Sequence, residues 1–182
     1  MKIEASVPLL DDILAQWQSR LGEAHVAYRN HCYRVLNLAL AYLPAGADDL
    51  EARDKLAVAL AFHDLGIWSD GTIDYLAPSR ARARAWLADN GREAWGEEVE
   101  AIIEQHHRIR RVPAAAGPLA EAVRKADWAD VSLGLLRRGL PRGLLAQLRA
   151  RFPNAGFHRR LLALAGRRLL RKPWSPLPML RF

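Results

Sequence analysis

Apolar residues recur along this chain at spacings of three and four, with Leu and Ala dominant and Val and Ile sparse and never alternating. That is the period of amphipathic helices, not of strands. It predicts a first helix over about residues 7–21, with Pro8 acceptable in its first turn. A long second helix over about 23–43 stops before Pro44-Ala45-Gly46. Asp48 and Asp49 favour a helix N-terminus by capping and dipole, and the third helix runs to Leu65, where Gly66 is placed to end it. Residues 66–75 mix Gly, Ser, Asp and aromatics without helical period and read as an ordered loop. Pro78-Ser79 opens another helix that ends at Asn90-Gly91, and the next covers about 93–107. After a loop over 108–117, Pro118 opens a helix through Asp127 and Asp130 to about Arg138, broken by Gly139-Leu140-Pro141. Two more helices follow near 142–151 and 157–171, and the Pro-rich stretch 172–178 cannot be helical and is expected to lie extended over the body. The expected fold class is all-α, a helical bundle with short loops. It divides into residues 1–138 and a basic helical extension, 139–182, packed on the same domain.

The 182 residues suit one domain with a sizeable core. Their net charge of +7 is unevenly spread. Residues 1–130 hold 15 Lys and Arg against 20 Asp and Glu, whereas residues 131–182 hold 12 Lys and Arg and no acid. Such a tail is either a solvated face packed on an acidic body or a surface for nucleic acid, anionic lipid or an acidic partner. Cys32 is the one cysteine, so no intrachain disulfide can form, which fits a reducing cytoplasm. No apolar run suits a signal peptide or a membrane span, and a cytoplasmic protein is expected.

The chemistry-bearing residues centre on His63-Asp64, two ionisable groups at the end of the apolar run Leu60-Ala61-Phe62. An unpaired buried charge is expensive, so the doublet needs compensation by a bound divalent cation or by an Arg or Lys partner. His31 lies beside an apolar stripe of the second helix and by itself reads more readily as a hydrogen-bonded core residue than as a ligand. Asp127 and Asp130, three apart, share a helix face, with Arg124 one turn earlier as a salt-bridge partner. His106 and His107 close their helix and point about 100° apart, so at most one is expected to face a given site. His25 and His158 have no partner pattern.

In order, His31, His63-Asp64 and Asp127 resemble the HD superfamily of metal-dependent phosphohydrolases: a first His on one helix, a His-Asp pair on the next, and an Asp on a later helix. The segment Ile103 to His106 resembles a further histidine region of that family, and the resemblance covers about residues 23–135. It implies an HD-domain-like all-α bundle in which His31, His63, Asp64 and Asp127 hold one divalent ion (Mn, Mg, Fe, Co, Ni or Zn). The ion would acidify a water and neutralise a phosphoryl oxygen. It also implies a small phosphorylated substrate, a nucleotide among the candidates. Arg34, one turn from His31, is the first candidate phosphate clamp, followed by Lys125 and Arg124. His106 or His107 would orient phosphate or protonate the leaving group, and Asp130 is a further substrate-binding candidate. Catalytic roles would fall to Asp64 and His106. Asp70 is added because Ile67 occupies the position where some phosphatase members carry an acid.

The chain departs from the dinuclear members, since no histidine lies between His63 and His106, and from the cyclic-dinucleotide branch, since Arg108-Ile109-Arg110 follows His107. One ion is therefore expected, with a second conceivable at His106, His107 and Asp130. Two other readings stay open. One is an HD-fold hydratase or oxygenase acting on a non-phosphate substrate. The other is a non-catalytic module that docks on nucleic acid or anionic membrane through residues 137–182, with steep salt dependence.

Overall fold

A computed structural model describes residues 3–174 and 178–180. It is an all-α helical bundle, with no sheet among the described residues. The helices are α1 (Pro8–Gln16), α2 (Gln18–Leu21), α3 (His25–Tyr42), α4 (Leu50–Phe62), α5 (Leu65–Ser69), α6 (Leu76–Asp89), α7 (Gly96–Gln105), α8 (Gly117–Val131), α9 (Arg142–Arg151) and α10 (Phe157–Arg171). None of them is long and apolar enough to cross a membrane.

Four helices make the frame. Helix α3 packs on α8, α8 on α7, α7 on α4, and α4 back on α3, a closed ring of neighbours. Helix α3 is buried on every side from Asn30 to Ala39, so its polar residues must find partners inside the protein. They do. Asn30 donates to the Pro153 carbonyl at 2.8 Å, and Asn37 exchanges hydrogen bonds with the Glu4 backbone. His31 and Arg34 both reach Asp130 on α8. The run Leu56–Ile67 is equally buried. Its helix starts as expected, with the Asp49 carboxylate accepting from the Ala52 amide at 2.8 Å. In the C-terminal segment, Leu145, Leu148, Phe152 and Phe157 join the same core.

Several boundaries differ from the sequence expectation. The first helix breaks at Trp17, whose indole packs edge-on to Phe62. Residues 65–69 are a turn of helix rather than loop. One turn is too short for a period to show, and three of its residues, Leu65, Gly66 and Ile67, are buried. Gly66 does not end a helix. It sits where a Cβ would lie 2.7 Å from the Tyr75 carbonyl oxygen, so the close approach of two backbones requires glycine there. Helix α6 starts at Leu76, with Pro78 still in the first turn, where a missing N–H costs nothing.

Helix α8 ends at Val131 instead of Arg138. The Gly134 amide donates to the Ala129 carbonyl and the Leu133 amide to that of Asp130, with Leu133 at φ 57°. That is a Schellman ending with leucine in the left-handed position usually given to glycine. Of the terminal stretch, residues 175–177 lie outside the described residues, while Met179 is buried against the Ile67, Ile73 and Tyr75 cluster.

Candidate metal centre

The four framing helices each deliver a side chain to one point: His31 from α3, His63 from the end of α4, His106 from the end of α7 and Asp127 from α8, with Asp64 and His107 next in chain. His31, His63, Asp64, His106 and Asp127 are all buried.

Two of the histidines are set by the same local device. Helices α4 and α7 end one residue before a histidine, which leaves the carbonyls of their last turns without intrahelical partners. His63 Nδ1 lies 2.7 Å from the Leu60 carbonyl, and His106 Nδ1 lies 2.7 Å from the Ile103 carbonyl. A carbonyl only accepts, so each Nδ1 carries the proton and each Nε2 turns a lone pair inward. His31 is held similarly by a carboxylate, its Nδ1 2.8 Å from Asp130 Oδ2. Such anchoring by a neighbouring acceptor is typical of metal-ligating histidines.

The inward atoms converge. His31 Nε2 lies 3.0 Å from His63 Nε2, 3.4 Å from Asp127 Oδ1 and 3.6 Å from Asp64 Oδ2. His63 Nε2 is 3.6 Å from Asp64 Oδ2, and His106 Nε2 is 3.4 Å from Asp64 Oδ1. Donors about 2.1 Å from one ion stand about 3.0 Å apart at a right angle and about 3.4 Å apart at the tetrahedral angle. The observed spacing matches. Asp64 Oδ1 and both carboxylate oxygens of Asp127 are buried without a hydrogen bond, which is costly unless something cationic meets them. The donor set and the orphaned oxygens both fit a divalent cation. Two trios bring their ligand atoms within 4.8 Å of one another, His31 with His63 and Asp64, and Asp64 with His106 and His107, so that Asp64 is shared.

Charge supports the same picture. Burial alone would lower the pKa of His31, but the Asp127 and Asp130 carboxylates outweigh it and push the group up to about 9. Burial takes His63 down to about 4, which keeps it neutral. The short contact between the two rings thus demands a positive charge, whether proton or metal. Burial would raise Asp64 and Asp127, yet His63 beside the first and His107 beside the second hold both below the usual carboxylate range.

Both His106 and His107 belong to the cluster, against the expectation that at most one would face it. His107 lies beyond the end of α7, and its contacts with Tyr75 and Asp127 place its ring at the cluster. His107 Nε2 lies 2.6 Å from the Tyr75 hydroxyl, and its Nδ1 is 3.1 Å from Asp127 Oδ2 without being aligned as a hydrogen bond.

Other expected residues are spent elsewhere. Arg34 is 2 % exposed, and its guanidinium forks onto Asp130 (Nε to Oδ1 2.7 Å, Nη2 to Oδ2 2.8 Å) and donates to the Phe152 carbonyl. It is a structural cation, not a phosphate clamp. Asp130 accordingly positions His31 and Arg34 rather than meeting substrate. Lys125 lies over the Tyr42 ring and near Glu121, and Arg124 forks onto Glu121. Asp70 is exposed and is taken up by Arg82 and the Ser69 hydroxyl.

Sequence reasoning missed three supporting residues. Tyr75 is fully buried behind His107. Tyr28 accepts from the Asp64 amide at 3.2 Å and donates to the Ala61 carbonyl. Phe157 stacks on His31 with ring centroids 4.1 Å apart. Tyr28, one turn before His31 on an apolar face, was the one with a readable signal.

No protein-family model, no curated protein and no solved structure matches this chain.

Proposed function

We propose that this chain is a metal-dependent hydrolase of the HD type, with one divalent cation held by His31, His63, Asp64 and Asp127. The carrying observation is the set of three Nδ1-anchored histidines turned toward two buried carboxylates whose oxygens lack hydrogen bonds. The order of these residues along the chain, which resembles the HD superfamily, supports the same reading. When bound, the cation would supply an acidified water and a Lewis acid for the substrate's reacting oxygen.

The protein's own groups do the rest. His106 has no exposed surface and turns its Nε2 to within 3.4 Å of Asp64 Oδ1, on the side of the proposed cation. His107, partly exposed at a cavity wall beside the Tyr75 phenol, is placed to orient a polar group of the substrate. Burial keeps Tyr75 protonated, raising its pKa well above the ordinary phenol value, so it donates to His107 Nε2 and leaves the His107 proton on Nδ1.

Elemental analysis of the purified protein tests the metal. His63→Ala and Asp64→Ala should each lose the metal and hydrolytic activity together. Full metal occupancy in either variant refutes the assignment.

A further inference from the structure

A cavity of about 250 Å³ opens onto the cluster, with Asp64 and His107 at its polar end. The rest of its wall is apolar or aromatic, built by residues such as Ile67, Trp128, Val131, Leu161 and Ala165. The polar atoms of the aromatic residues are already engaged. The Tyr75 hydroxyl lies 2.6 Å from His107 Nε2, and Trp128 Nε1 donates to the Arg108 carbonyl at 3.1 Å.

No Lys or Arg lines this cavity among the described residues. The neighbouring cleft that carries Arg167, Arg171 and Lys172 shares only Ile73 with it, so those cations stand outside the wall. Sites for phosphate esters supply guanidinium forks or helix N-termini. Here α4 and α7 present their C-terminal, negative ends to the cluster. At the α10 N-terminus, close to His31 through Phe157, the Phe157 and His158 amides are already engaged by the Asn154 carbonyl and side chain. A substrate bearing one or two negative charges would enter an apolar chamber with the Asp64 carboxylate at its end and no Lys or Arg among the described residues of its wall.

Resting on the hydrolase reading above, we propose that this site takes a small uncharged substrate rather than a phosphate ester. A neutral polar group would lie at Asp64 and His107, and an apolar body would lie against Trp128, Val131, Leu161 and Ala165. An apolar cavity of roughly 150 Å³ takes benzene, so this one suits a body of about ten non-hydrogen atoms.

Benzamide and phenyl phosphate, which share a ring and differ in charge, are the probes. The metal content of the wild-type protein is measured first, and a protein that binds no divalent metal overturns the hydrolase reading itself. Dissociation constants for both probes are then measured on metal-loaded protein by calorimetry or ligand-observed NMR. Benzamide should bind the wild type more tightly than phenyl phosphate. Ala165→Phe and Val131→Phe should each weaken benzamide at least tenfold while metal content and melting temperature hold. Leu161→Arg, which places a cation in the wall, should reverse the preference. Tighter binding of phenyl phosphate to the wild type overturns the proposal while leaving the metal reading intact, and so does benzamide binding that is absent or unchanged in both Phe variants. If a substitution unfolds the protein, the wild-type preference still decides.

Discussion

Removing the Asp130 carboxylate separates its two duties. Arg34 is buried with three of its donor nitrogens committed, two of them to Asp130 at 2.7 and 2.8 Å. Asp130→Ala leaves that guanidinium inside the protein without a counter-charge, a loss of about 3–5 kcal/mol. For a domain of this size, that corresponds to a fall of roughly 6–20 °C in melting temperature. The same substitution takes away the acceptor that lies 2.8 Å from His31 Nδ1. Losing such an anchor weakens metal binding by about 10–100-fold. The double variant Asp130→Ala/Arg34→Met removes the stranded cation as well. It should recover most of the melting temperature but none of the metal affinity, because His31 still lacks its anchor. Melting is measured by calorimetry in the presence of a chelator, so that metal loss does not enter, and affinity by competition against a metal-sensitive dye. A single variant that melts within about 2 °C of the wild type, or a double variant that regains wild-type affinity, would refute the reasoning.

Three further outcomes are expected. Gly66→Ala drives a Cβ to 2.7 Å from the Tyr75 carbonyl and 3.0 Å from the Tyr75 Cβ, and should cost about 1–3 kcal/mol in thermal unfolding; an unchanged melting temperature would show that the two backbones can part freely. Leu133→Gly relieves the left-handed leucine at the end of α8 and should raise stability by about 0.4–1 kcal/mol, read as a higher denaturant midpoint with an unchanged slope. Glu121 supplies a pH dependence: burial would raise its pKa, but the Arg124 fork and the Val112 amide outweigh burial and hold it below its ordinary value. Its contribution is therefore complete above the ordinary glutamate range of about 4.3 and is lost as the pH falls through the lowered folded value. The gap in melting temperature between wild type and Glu121→Gln should be constant above about pH 5 and close on acidification, and a gap that widens in acid reverses the sign and the argument.

The helices were legible because their apolar period extends over many turns, and so was the Asp49 cap. What escaped were features set by tertiary contact. Residues 65–69 form a single turn, too short for periodicity to register, and their helical state follows from burying Leu65 and Ile67 together. Gly66 carries the sequence mark of a helix end, yet it serves a crossing against Tyr75 that only the fold creates. The early end of α8 had a local signal in Gly134. Leu133, however, occupies the left-handed position, and nothing in its own residue type announces that.

For the candidate site, the need of a buried His-Asp doublet for a counter-charge singled out His63 and Asp64, whereas His31 and Asp127 came in only through the resemblance of their order to the HD pattern. The same reasoning, carried one step further, explains why Arg34 is no phosphate clamp. A cation on a helix buried on all sides must itself be neutralised within the protein, and Asp130, across the α3–α8 seam, is the carboxylate that does so. Lys125 and Arg124 likewise lie against Tyr42 and Glu121. Each cation that spacing placed near the histidines is consumed by the packing that brings the histidines together. The cluster therefore gathers acids and imidazoles around a place that suits a cation, and leaves the chamber beside it apolar. On the proposal above, a substrate for that chamber reaches the cation without bringing a charge of its own.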